Sequence, residues 1–191
     1  AIAIGDSDCE VLLAGKSGAV PGDGARRGIH ACPGGSRDEL EDQLPGCRIH
    51  IRSDELDLDH LRDKVEFWQG DAHNLKPQFT GYDLILAANL VDRLYEHKKW
   101  LAAVHERLKP GGLLVITSPY TWLEEFTPRD KWLGGLKVDG ENLTTLEGLR
   151  QALADHFDPV GQPRDVEFVI RETARKFQHT VAQLTVWERT R

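Results

Sequence analysis

The sequence predicts an α/β domain with a Rossmann-like, mostly parallel sheet and a C-terminal antiparallel hairpin. Two observations carry this. First, Gly81-Tyr82-Asp83 opens the apolar run Leu84 to Ala88, which stops at Asn89; a helical pattern leads to Leu108, and Lys109-Pro110-Gly111-Gly112 precedes a second apolar run, Leu113 to Thr117. Short apolar runs bounded by turn residues read as buried parallel strands, so this is a βαβ unit, whose crossover is right-handed. Second, Asp165–Glu172 and Thr180–Glu188 alternate like strands, and the link 173–179 suits an antiparallel pair. In open α/β sheets the ligand sits outside the carboxyl ends of the strands. That points to Asn89–Arg93 and Ser118–Trp122.

A chain of 191 residues suits one domain, 1–191. Its net charge of -7 argues for solubility and against a nucleic-acid partner. No apolar run approaches membrane-spanning length, and no signal peptide is expected at Ala1–Gly5. Three cysteines make no disulfide framework, so reduced thiols and a cytoplasmic location are expected. The first aromatic is Phe67, whereas Cys9, Cys32 and Cys47 and 9 of the 18 glycines lie in the first quarter. Aromatics dominate core burial, so the N-terminal third is poorly equipped to build core. Residues 1–47 are atypical, with the Gly, Arg, Pro and Cys content of disordered sequence or of coding sequence read out of frame. One uninterrupted, expressed reading frame would remove the frameshift reading.

In chain order, Ala1–Gly5 reads as a short strand and Glu10–Leu13 as the start of a helix that Gly15 and Gly18 stop. Ala14-Gly15-Lys16-Ser17 lacks the earlier glycine of a phosphate loop, because Glu10 stands there. Gly22–Gly35 reads as loop or disorder, Asp54–Lys64 as a weak short helix or turn, and Val65–Gln69 as a strand ended by Gly70-Asp71-Ala72. In the central helix, Leu94, Leu101, Val104 and Leu108 share a stripe, and Pro110-Gly111-Gly112 is its stop signal. Ser118 to Gly140, rich in aromatics and flanked by prolines, reads as a lid or binding loop. Thr144 and Glu147 are spaced as a capping box, and a helix from there to about Phe157 turns Leu146, Leu149, Leu153 and Phe157 inward.

The order of these segments resembles the second half of a class I S-adenosylmethionine-dependent methyltransferase. A narrower resemblance covers Arg62 to Arg191. KVEFWQGDAHNLK from Lys64, YDLILAANLVDRLY from Tyr82, SPYTWLEEFTPRDKWLGG from Ser118 and FVIRETARKFQHTVAQLTVW from Phe168 look like the C-terminal methyltransferase domain of the ovothiol biosynthesis enzyme. That family methylates a ring nitrogen of 5-thiohistidine (4-mercaptohistidine). Its iron-dependent sulfoxide synthase region has no counterpart here, so a separate or fused synthase is the implied partner. The family's glycine-rich cofactor loop is degenerate: Ile4 to Cys9 holds one glycine where several are expected, and no ribose-binding acid is assignable.

The resemblance implies S-adenosylmethionine as cofactor, a small-molecule substrate, and no nucleic acid or membrane. It implies cofactor contacts at Gly5, Asp71, Ala72, Asn89 and Leu90. Substrate contacts are expected at Arg93, Trp122, Arg171 and Gln178: aromatic faces hold a planar imidazole, and a guanidinium pairs with an amino-acid carboxylate. Tyr120 and His179 are the candidate catalytic residues. Set against these, Asp71 also suits turn capping and Asn89 a helix N-cap; Asp92 could touch substrate beside Arg93, but a first-turn Asp also suits the helix dipole. His73, His97 and His105 lack metal-ligand spacing and read as surface residues.

A neutral imidazole nitrogen is already a nucleophile, so the expected mechanism needs no metal. The protein aligns the reactants, which can contribute up to about 7–11 kcal/mol. Tyr120, His179 or water then takes the second ring proton or holds the tautomer. Two other readings stand beside this one. The first is a degenerate methyltransferase-like domain without cofactor, acting as an interaction module or a non-functional gene product. The second is another nucleotide-binding α/β enzyme, disfavoured because no G-x-G-x-x-G fingerprint exists.

Overall fold

A computed structural model describes residues 2–5, 10–13, 66–69, 71–138 and 140–191. The short helix or turn expected at 54–64, the loop or disorder expected at 22–35, the turn following Gly5 and all three cysteines lie outside these residues. The strands are β1 (Ile2–Gly5), β2 (Glu10–Leu13), β3 (Glu66–Gln69), β4 (Tyr82–Ala88), β5 (Leu108–Ser118), β6 (Leu136–Val138), β7 (Glu141–Leu143), β8 (Phe157–Pro159), β9 (Arg164–Thr173) and β10 (Lys176–Arg189). The α-helices are α1 (His97–Ala103) and α2 (Thr145–Leu153).

Eight strands form one mixed sheet in the order β3-β2-β1-β4-β5-β10-β8, with β9 also on β10. Among the described strands, the run β3-β2-β1-β4-β5 matches a doubly wound sheet in order but not in strand direction. The expectation of a mostly parallel sheet needs correction. Only β1–β4 and β4–β5 pair in parallel among the described strands, while β1–β2, β2–β3 and all β10 pairings are antiparallel. Glu10–Leu13, expected as a helix start, is the antiparallel strand β2. Only four residues separate it from β1, too few for the crossover that a parallel neighbour needs.

The expected stripe of Leu94, Leu101, Val104 and Leu108 is buried, but the helix carrying it is broken. Val91–Arg93 is a 3-10 turn, α1 has only seven residues, and Val104–Arg107 is 3-10 again. Leu108 already belongs to β5, and Gly111 inside that strand takes φ +76°, which glycine permits without strain. The central crossover is therefore shorter than the periodicity implied.

Alternation places Ile85 and Ala87 of β4 and Leu114 and Ile116 of β5 on one sheet face, with Trp187 of β10. This face packs with Trp100 and Leu101 of α1 and Leu149 and Leu153 of α2 as one core. The capping box forms as its spacing indicates: Thr144 Oγ1 accepts from the Glu147 N–H, and Glu147 accepts from the Thr144 N–H. The helix stops at Leu153 rather than near Phe157, because Phe157 begins β8, which joins the end of β10. The link in the terminal hairpin is shorter than expected, since Lys176 pairs directly with Thr173. Segment 118–140, expected as a lid, is anchored: Trp122, Thr127 and Leu133 are buried, and Leu136–Leu143 form the β6–β7 hairpin. Among the described residues no helix is long and apolar enough to cross a membrane.

His97, expected at the surface, is fully buried, its ring 4.9 Å from that of Trp122. Burial pushes its pKa below the ordinary value. His105 is lowered too, first by burial and then by His156, stacked on it at 3.6 Å. Native protein therefore binds fewer protons at these sites than the unfolded chain does. Stability from them is full above the unfolded-state value, about 6.5, and is lost as pH falls through it. Thermal melts between pH 8 and 5 should show Tm steady at first and falling from about pH 6.5. A Tm that rises on acidification across that window contradicts this assignment.

Candidate functional site

The strand order reverses between β1 and β4, where a doubly wound sheet opens its ligand crevice. Gly5 lies in register with Ala88 there, so a position without a side chain meets the end of β4. The next residue, Asn89, takes φ +51°, and Tyr120, just past the end of β5, takes φ +55°. They are the two non-glycine residues with positive φ among the described residues, and they follow adjacent strands. Such backbone costs roughly 1–3 kcal/mol per residue and clusters at functional sites.

Local bonds hold both residues. The Asn89 N–H donates to Thr117 O at 2.8 Å, and Asn89 Oδ1 accepts from Thr117 Oγ1 at 3.2 Å. The side chain is thus committed to β5 and is not an N-cap; Leu90 holds the cap position of the 3-10 turn that follows, with no side-chain cap bond. The Tyr120 N–H donates to Ser118 Oγ at 3.0 Å. Ser118 is buried and donates to Asp92 Oδ1 at 2.7 Å; Thr121 donates to Asp92 Oδ2 at 3.1 Å. The Arg93 guanidinium lies 3.6 Å from Asp92 Oδ2 and donates to Thr121 O at 2.9 Å.

The Tyr120 hydroxyl donates to Gln183 Oε1 of β10 at 3.0 Å. Burial, and secondarily the Asp92 charge, push this phenol up to about 12. At neutral pH it is a protonated hydrogen-bond donor, which suits holding a tautomer better than taking a proton. Its surroundings suit orienting a ring or a tautomer.

Asp71 and Ala72 follow β3. Asp71 Oδ1 accepts from both the His73 N–H and His73 Nδ1, while Oδ2 makes no bond among the described residues. Bonding from His73 lowers the Asp71 pKa. The carboxylate is ionised and exposed, with one oxygen left for a donor such as an amino group. Ala72 and Leu90 are buried. Arg93, offered for substrate, stacks over Phe126 at 5.0 Å and holds Thr121.

Other expectations change. Trp122 is a core residue rather than a face for substrate: it is 8% exposed, stacks with Trp132 at 6.4 Å and donates to Thr145 Oγ1 at 3.0 Å. β10 pairs with β5 only from Gln183 onward, so 176–182 run past the carboxyl edge beside β9 alone. Arg171, Gln178 and His179 lie on this two-stranded ribbon; the Arg171 side chain is outside the described residues. His179 is exposed and paired with Glu167 at 3.3 Å. It lies four residues from Gln183, about 13 Å along the strand at ~3.3 Å per residue. The structure therefore does not bring His179 to Tyr120.

Of the polar residues here, the sequence reading left Gln183 out of the site and favoured a structural role for Asp92 over a substrate contact. Asp92 lay within the flagged segment, but its burial was invisible there. Gln183 depends on β10 inserting antiparallel beside β5, which local pattern does not encode. Among the described residues no three His, Cys, Asp or Glu side chains gather as metal ligands.

No family model and no curated protein matches this chain. Solved structures with a similar chain path exist at low identity. One, from work on conversion of a disulfide bond into a thioacetal group during echinomycin biosynthesis, is 17% identical over 72% of this chain and 62% of its own, with TM-score 0.47. A S-adenosylmethionine-dependent methyltransferase from Methanosarcina mazei is 17% identical over 65% of this chain and 67% of its own, with TM-score 0.43. The N-methyltransferase NodS from Bradyrhizobium japonicum, bound to S-adenosyl-l-homocysteine, is 14% identical over 72% and 62%, with TM-score 0.41. The chain thus spans less than two thirds of the first and third of these proteins.

Proposed function

We propose that this chain is a S-adenosylmethionine-dependent methyltransferase domain that methylates a ring nitrogen of 5-thiohistidine in ovothiol A formation. The observation that carries the reading is the edge itself. Gly5, Asn89 and Tyr120 stand at the carboxyl ends of the neighbouring strands β1, β4 and β5, two of them in left-handed backbone, where an open α/β sheet takes its ligand. The four segments resembling the ovothiol enzyme's methyltransferase domain supply the substrate class.

The residues present fit the nucleoside end of the cofactor. Asp71 has a free carboxylate oxygen for an amino group; Leu90 and Ala72 are core residues like Trp122 and offer little side-chain surface. The bound cofactor supplies an electrophilic methyl group on a sulfonium sulfur. Tyr120, whose own hydrogen is held by Gln183 Oε1, orients the acceptor ring by accepting its N–H, Asn89 and Leu90 shape the edge, and the ring proton leaves to water. The ribbon residues Arg171, Gln178 and His179 stand beyond the edge; His179 lies about 13 Å along β10 from Gln183, farther than the short amino-acid tail of the substrate reaches. The implied neighbour is an iron-dependent sulfoxide synthase, and a cytoplasmic location goes with this chemistry.

One observation favours a second reading, a methyltransferase-like scaffold without cofactor. β2 returns antiparallel after four residues, where a doubly wound sheet places a crossover helix. Titration calorimetry of the purified chain with S-adenosylmethionine separates the two. A dissociation constant in the micromolar range, about -8 kcal/mol at 1 μM, is the expected result. No heat of binding from a folded sample leaves the scaffold reading.

A further inference from the structure

We propose that Asp92 is a positioning residue of this edge: its two carboxylate oxygens tie Ser118 to Thr121 across Tyr120, and so keep the Tyr120 hydroxyl on Gln183. Asp92 is 1% exposed, although a carboxylate is costly to bury. It lies in the 3-10 turn directly after the end of β4, so it reaches sideways from one strand end to the next. Oδ1 takes the Ser118 hydroxyl and Oδ2 takes that of Thr121. Ser118 in turn accepts the Tyr120 N–H, so the bond chain reaches the residue whose backbone is left-handed. Arg93 closes the other side by donating to Thr121 Oγ1 at 3.2 Å. Each hydroxyl donates to Asp92 and accepts from another donor, so their orientations are fixed. A left-handed tyrosine persists only where surrounding bonds over-determine it, and this clamp does so from both sides.

The effect on turnover rests on reading this edge as the methyl-transfer site; the effect on Tyr120 does not. The test therefore has two readouts, both on the full chain. The first is NMR of isotope-labelled tyrosine at neutral pH, with the Tyr120 resonance identified by its loss in Tyr120→Phe. In Asp92→Asn, and in Ser118→Ala, which keeps the Asp92 charge but removes one tie, that resonance should move toward free tyrosine. Tyr82 and Tyr95 should stay in place. The second is methyl transfer to 5-thiohistidine. Asp92→Asn should lower kcat at least about tenfold with cofactor affinity within about twofold, and Asp92→Asn combined with Tyr120→Phe should be no slower than Tyr120→Phe alone.

An unmoved Tyr120 resonance in folded Asp92→Asn and Ser118→Ala overturns the proposal, as does a multiplicative loss in the double variant. A shift in Asp92→Asn alone also overturns it, because Asp92 would then act only as a charge. Should Asp92→Asn not fold, Ser118→Ala and Thr121→Val each cut one tie and decide the NMR readout. If the chain binds no S-adenosylmethionine, the proposed activity fails while the Tyr120 resonance still judges Asp92.

Discussion

Replacing Trp122 by alanine should lower the unfolding free energy by about 3–5 kcal/mol, the usual loss for a buried Trp. Against a typical total of roughly 5–15 kcal/mol, that is a fifth of the stability or more. The indole sits between His97 of α1 and Trp132, and its N–H reaches Thr145 at the start of α2. It therefore joins the segment after β5 to both helices. Trp122→Phe keeps a ring but leaves the buried Thr145 hydroxyl without that donor, so a smaller loss of about 1–2 kcal/mol is expected. Urea denaturation checks this: the midpoint should fall with the slope unchanged. A loss under about 1 kcal/mol in Trp122→Ala, with ligand binding altered instead, would return Trp122 to the substrate surface.

The contrast between Trp122 and Tyr120 marks what the sequence could reveal. Both are aromatics two residues apart in a polar segment after a predicted strand, and nothing local separates them. The structure buries one and hydrogen-bonds the other to Gln183 because β10 pairs antiparallel with β5, a contact 63 residues away in sequence. Features that need only short-range pattern were legible: the runs of β4 and β5, the box at Thr144 and Glu147, and the alternation of β9 and β10. Features set by long-range pairing were not. Glu10–Leu13 has the composition of a short helix start, and only pairing with β1 and β3 makes it a strand. His97 carries no burial signal beyond its place before Trp100 and Leu101. The candidate edge was found from the rule that ligands lie at carboxyl strand ends, while its clamp, Asp92 to Ser118 and Thr121, needed both strand ends in view.

Gly148→Ala should destabilise the protein by roughly 3 kcal/mol, although the same change in an exposed helix interior stabilises by about 1 kcal/mol. The sign is decided by what surrounds α2. A Cβ at Gly148 would run into the Leu133 carbonyl oxygen and lie 2.8 Å from its carbon and 2.9 Å from Leu133 Cβ. At Gly134 a Cβ would strike the backbone of Thr144 and Thr145. Two stretches of main chain therefore touch through paired glycines, and neither can rotate aside as a side chain can. Leu133, Leu149 and Leu153 are all buried at this seam, so separating the segments also opens core. Thermal and urea denaturation of Gly148→Ala, with Gln151→Ala on the exposed side of α2 as the helix-propensity control, separates the two effects. The control should be neutral or slightly stabilised. A stabilised Gly148→Ala would mean that segment 133–134 does not seat on α2. That seat carries the site as well as the stability: it fixes Leu133 and Thr145, hence Trp122, and Trp122 adjoins Thr121, one arm of the Asp92 clamp. A Gly148→Ala protein still folded at low temperature should therefore lose the ordered Tyr120 resonance along with its stability.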